Sequence, residues 1–203
     1  MSRKKRAAAR RLLGEAAHDQ LLARVYTRPA AKDDYKDDYL VGYVVGLSDE
    51  WVLLNNVSDT MRANGYSAAR VKDVTQVWLL RDRHNDFIGR ALALRGIAAV
   101  PQPDILLVDL PGLLSSADAH YPLVRIELEN KLPGTCYIGR VTRLTKKSAW
   151  LREITPAATW ESAPMRYPLK HITRVVFGGG YEEALWQVSE QDRQMAQNHD
   201  KQP

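Results

Sequence analysis

The chain has 203 residues, 45% hydrophobic and 26% charged, with one cysteine. Those values fit a folded globular chain rather than a disordered one, and a lone Cys136 excludes an internal disulfide. No apolar run approaches the ~18 residues of a membrane span, and no apolar stretch follows the basic N-terminus as in a secretory signal, so a cytoplasmic protein away from membranes is expected.

The net charge is +5 but unevenly placed: residues 1–30 carry +6, and the remaining 173 residues sum to −1. In chain order, a helix is expected over 3–19, with Leu12, Leu13 and Ala16 on its apolar face. Strands follow near 21–28, 39–47, 51–58 and 67–79, with Asn64-Gly65-Tyr66 as a hairpin signal. Lys72-Asp73 marks a bend that splits the last of these. Phe87–Leu94 continues as a helix, and 96–108, with Gly96, Pro101 and Pro103, reads as a join. A second leading helix covers 110–119, capped by Asp109 with Pro111 in its first turn. Strands over 123–130, 136–145, 148–160 and 166–177 precede a helix over 181–197.

The chain repeats itself. VGYVVGLSDEWVLL (41–54) matches IGRVTRLTKKSAWL (138–151) at an offset of 97, and RVKDVTQVWL (70–79) matches PLKHITRVVF (168–177) at an offset of 98. Gly42 falls on Gly139, Val44 on Val141, and Val77 on Val175.

A helix followed by five short bent strands resembles the Sm-like order. Gly42-x-Val44-x-Gly46-Leu47 and Asp49-Glu50-Trp51-Val52-Leu53-Leu54 resemble the second and third strands of the bacterial Sm-like RNA chaperones, the Hfq family. Lys170-His171-Ile172-Thr173 is similar to that family's Lys-His segment, which lines an RNA pocket. The wording SDEWVLL and GGGYEEAL also resembles a bacterial family of otherwise unassigned role. The resemblance implies a mainly β fold with flanking helices, built as two tandem Sm-like or SH3-like five-stranded barrels. Residues 1–95 and 109–203 would be the two units and 96–108 the linker. Ser48 and Val52, and Thr145 and Ala149, stand where the wider Sm family holds a base with Asp and Asn.

Asp109-Leu110-Pro111-Gly112 copies a GTPase box, but no phosphate-cradling GxxxxGK[ST] loop precedes it, so it reads as a helix start. Gly178–Gly180 reads as a chain reversal needing positive φ. Asp33, Asp34, Asp37 and Asp38 read as a solvated loop interrupted by Lys32 and Lys36. The five histidines and Cys136 show no metal-ligand spacing, and no nucleophile–base motif is present. The expectation is a non-enzymatic protein without cofactor or metal. Its tryptophans either fill the core or stack unpaired bases.

Two functional readings stand. In the first, the chain binds RNA or another nucleic acid. Arg3, Lys4, Lys5, Arg6, Arg10 and Arg11 supply phosphate contacts, and Lys170 and His171 supply a pocket. In the second, free strand edges make a protein-interaction or homo-oligomeric assembly module.

Overall fold

The computed structural model describes residues 3–27, 39–80, 87–99 and 104–199. Helix α1 (Arg3–Asp19) buries Ala9, Leu13 and Ala16, which recur at helical spacing on one stripe. That stripe lies on two strands of the first half, β2 (Tyr39–Leu47) and β5 (Val74–Leu79). The remaining strands of this half are β1 (Leu22–Thr27), β3 (Trp51–Val57) and β4 (Ala63–Arg70). Helices α2 (Phe87–Leu94) and α3 (Leu110–His120) follow. The Asp109 carboxylate caps α3, accepting from the Gly112 N–H at 2.7 Å, so the GTPase-like wording is a helix start. The second half contains β6 (Val124–Glu127), β7 (Cys136–Leu144), β8 (Ser148–Glu153), β9 (Met165–Pro168) and β10 (Arg174–Phe177), and ends in α4 (Gly180–His199).

The expectation of two five-stranded barrels is corrected. All ten strands form one open antiparallel sheet in the order β5-β1-β2-β3-β4-β10-β6-β7-β8-β9. The reason lies at the middle of that order. Closing the first half would require β4 to pair with β5, but β10 occupies that edge of β4, in a register running from Arg174↔Ala69 to Phe177↔Tyr66. All four residues of β10 are buried, and it takes ladders from both β4 and β6. Arg70 reinforces the seam. Its Nε and Nη2 donate to the Ile172 and Leu169 carbonyls, both at 2.7 Å, and its guanidinium lies over the Trp51 ring.

The sequence repeat is visible in the register. Each half carries a bulge at the same place, between Val44 and Gly46 in β2 and between Val141 and Arg143 in β7. The bends at Lys72-Asp73 and Lys170-His171 are short 3-10 turns, Val71–Asp73 and Leu169–His171. The hairpin expected at Asn64-Gly65 is displaced. The turn spans 58–62, closed by Ser58 N–H to the Arg62 carbonyl with Met61 at φ 55°, and Gly65 lies within β4. Strand β8 also stops short of 160, continuing only as the bridge Ile154↔Trp160.

Three cores result. The first joins α1 to Val44, Val52, Leu54, Ala69 and Val77. The second joins α3 to the inner face of the second half, and also takes in Trp51, Leu53, Tyr66 and Ala68 from the opposite face of the first half. A smaller one sets Leu185 of α4 against Leu123, Ile138 and Ile154.

Candidate nucleic-acid interface

The two halves differ in what covers one face. Leu53 and Ala68 are fully buried, because Ile105, Leu107 and Leu110 lie in the same core. The Ser48 hydroxyl donates to the Leu107 carbonyl at 2.6 Å, fixing that cover over the β2–β3 hairpin. At the repeat offset the counterparts of Leu53, Asn55 and Ala68 are Trp150, Arg152 and Arg166, and those of Tyr43 and Gly46 are Arg140 and Arg143. The four arginines are exposed and Trp150 is half-buried; Trp150 joins none of the described cores.

Strand pairing sets these side chains in rows. Arg143, Trp150 and Arg166 are direct cross-strand neighbours on β7, β8 and β9, and Arg140 pairs with Arg152 in the adjacent row. The Arg143 and Arg166 guanidiniums lie 4.8 and 5.7 Å from the Trp150 ring centroid. Beyond them, Arg152 lies over Trp160 and Arg140 over Trp186, and those two rings meet edge to face at 6.4 Å. Arg166 is steadied by its Nε, which donates to the Ser148 hydroxyl at 2.9 Å, and Arg152 by its Nε to the Glu161 carbonyl at 3.2 Å. Among the described residues the terminal nitrogens of both, and the guanidinium of Arg143, make no ion pair, while Arg140 acts at longer range on the Asp118 carboxylate.

The same end of the molecule carries ammonium groups. The β7–β8 hairpin tip holds Lys146 and Lys147, and the Lys147 carbonyl accepts from the Leu169 N–H at 3.0 Å, which ties that tip to the 3-10 turn bearing Lys170 and His171. Lys170 is exposed, and the pKa of His171 is lowered by loss of hydration and by Lys131 and Lys170. In the first half the corresponding tip is Asp49-Glu50, the corresponding turn ends in buried Asp73, and Asp49 is ion-paired with Arg10 of α1. The duplicated hairpin has thus opposite charge in its two copies.

The sequence-derived site residues therefore separate. Lys170 and His171 sit beside the arginine rows. Lys4, Lys5, Arg6, Arg10 and Arg11 are exposed on α1, which packs on β2 and β5 of the other half, and one of them, Arg10, already faces Asp49. Arg3 begins that helix. The structure brings no described contact between the α1 residues and the Lys170 turn. The four arginines were missed by sequence reasoning, and Trp150 entered it only among five tryptophans read as core or base-stacking rings. Regular alternation puts Arg140 and Arg143 on opposite faces of a strand, and the bulge at Thr142 returns them to one face. The signal available was the bulge itself, present at Val45 in the first copy.

Other candidates carry less. The acidic loop at 33–38 lies outside the described residues. Among the described residues no group of His, Cys, Asp and Glu is arranged to hold a metal. Gly178 has φ +66° and reverses the chain into α4 as its residue type suggested. A cleft of about 540 Å³ between the end of α1, β1, β2 and α2 is lined mainly by aliphatic side chains and backbone, with Asp19 its one carboxylate. Burial raises the Cys136 thiol, which disfavours a thiolate there. No described helix is long and apolar enough to cross a membrane.

The fold is thus an open ten-stranded antiparallel sheet with four helices, and the exposed site on it is a cationic, aromatic face. No family model matches the chain, and no curated protein matches it. Among solved structures, a crystal structure of YcgR from Escherichia coli in complex with c-di-GMP is similar at 11% identity over 97% of this chain and 94% of that one, with a TM-score of 0.19.

Proposed function

We propose that the chain is a non-enzymatic binder of nucleic acid, docking the sugar–phosphate backbone on the outer face of β7, β8 and β9. The observation that carries this reading is the set of four exposed arginines, of which Arg143, Arg152 and Arg166 make no described ion pair, on strands whose hairpin tip holds exposed Lys146 and Lys147 and is tied by the Leu169 N–H to the turn of exposed Lys170. Guanidinium forks match phosphate oxygens bidentately, and two of these forks are held by Nε with their ends unspent. The inverted charge of the duplicated hairpin supports the reading further, because a merely solubilising surface has no need to distinguish the copies. The basic residues of α1 would add a second, weaker area of attraction on the other half.

Fluorescence anisotropy with labelled oligonucleotides across a salt series tests this. Binding should weaken with salt, by a slope of about −0.7 per phosphate neutralised on a single strand. Reversing Arg143, Arg166, Lys146 and Lys147 to Glu should abolish it, while deleting residues 1–11 should reduce affinity and leave the remaining salt dependence in place. Binding that vanishes with the α1 residues and ignores the four reversals would overturn the proposal.

A further inference from the structure

We infer that this face takes single-stranded nucleic acid, with an unpaired base stacked against Trp150 between Arg143 and Arg166; the inference rests on the binding proposed above and names the form of its ligand. Phosphate contacts alone would be served by arginines and lysines. What they leave unexplained is an aromatic ring at the centre of a cationic row. Leu53, the counterpart of Trp150, is fully buried, as an apolar strand residue should be. Trp150 is only partly buried and lies outside every described core. Folding alone gives little reason to set an indole there.

The neighbours fit the same ligand. Arg143 and Arg166 stand as cross-strand partners on either side of the indole, so each presents a planar cation beside it. A base can stack on a guanidinium plane or displace one guanidinium from the ring, and the freed cation then meets the adjacent phosphate. The adjacent row sets Arg152 over Trp160 and Arg140 over Trp186, but those two rings pack on the third core and on each other, which leaves Trp150 as the ring placed for a ligand. A duplex keeps its bases paired and stacked within the helix, so it would use the arginines and leave Trp150 idle.

The test compares fluorescein-labelled dT12 and U12 with a mixed-sequence 12-base-pair duplex on the full chain, in wild type, Trp150→Ala and Trp150→Phe. The expected result is single-strand affinity at least tenfold above duplex affinity. Trp150→Ala should weaken the single strand about tenfold or more, as loss of one base–aromatic stack does. Trp150→Phe should restore most of the loss, and the duplex should bind all three proteins equally. Circular dichroism melts confirm that the variants fold; Trp150→Leu, which keeps an apolar side chain but no aromatic face, serves if Trp150→Ala does not. Equal single-strand and duplex affinity, or indifference to Trp150, overturns this inference while leaving backbone binding intact. Failure of every oligonucleotide, with an oligo-glutamate peptide bound instead, overturns both.

Discussion

His171 has its protonation disfavoured by loss of hydration and by the charges of Lys131 in the β6–β7 turn and of Lys170 beside it, so its pKa lies below the ordinary 6.5. The unfolded chain therefore takes up this proton before the folded one. As pH falls from about 6.5 through the lowered value, the group works against the folded state. A bound polyanion reverses the local sign, so binding draws a proton onto the imidazole. Affinity for an oligonucleotide should rise when pH drops from 7.5 to 5.5, and His171→Gln should flatten most of that rise; anisotropy titrations at fixed ionic strength read it directly. The residue was visible in the sequence as half of a Lys-His pair. Its other basic neighbour was not, because Lys131, 40 residues earlier in the chain, reaches it only through the folding of the β6–β7 turn.

At the scale of elements, most strands and helices were legible because period-two and helical apolar patterns dominate them. Helices over 3–19 and 110–119 became α1 and α3, and the strands over 39–47 and 136–145 became β2 and β7 almost residue for residue. What could not be read was which strand edges meet. Each half contains every strand needed to close on itself, and pairing of β4 with β10 depends on contacts about 100 residues apart in sequence, such as Arg70 to Leu169. Residue types did mark the tightest strand crossings. A Cβ on Gly42 would meet the Asn55 carbonyl oxygen at 2.3 Å, and one on Gly139 the Arg152 carbonyl oxygen at 2.0 Å, backbone atoms that cannot swing aside. Gly139→Ala should cost about 2 kcal/mol or more in chemical denaturation, and Gly42→Ala a similar amount. Gly14→Ala on α1, where a Cβ meets nothing within 4 Å, should instead stabilise by up to ~1 kcal/mol.

For the molecule as a whole, the two described sheet edges are β5 and β9, the counterparts of the strands β10 and β4 that meet at the seam. A second copy could in principle repeat that seam on β9. At the seam the Arg70 N–H donates across to the Thr173 carbonyl, so Arg70, Ala68 and Tyr66 direct their N–H groups outward from β4. Their counterparts are Pro168, Arg166 and Pro164, and proline has no N–H to offer. The incoming copy would also bring its basic α1 towards the arginine rows. Wild-type chain should therefore stay free of β9-mediated self-association. Pro164→Thr with Pro168→Thr should produce concentration-dependent growth in light scattering, strongest at high salt; a wild type that already grows in this way would show that the prolines do not guard the edge. The unequal cover of the two faces has a further consequence for how the chain tolerates change. Where Leu53 and Ala68 lie sealed beneath Leu107, an altered residue should show itself in how much folded protein accumulates. Where Trp150 and Arg166 lie open, the yield should hold and only the grip on a ligand should move. Inherited variation should be scarce at the covered positions of the first copy and more frequent at their open counterparts in the second, so that ligand preference evolves on one face while the cores beneath keep the architecture constant.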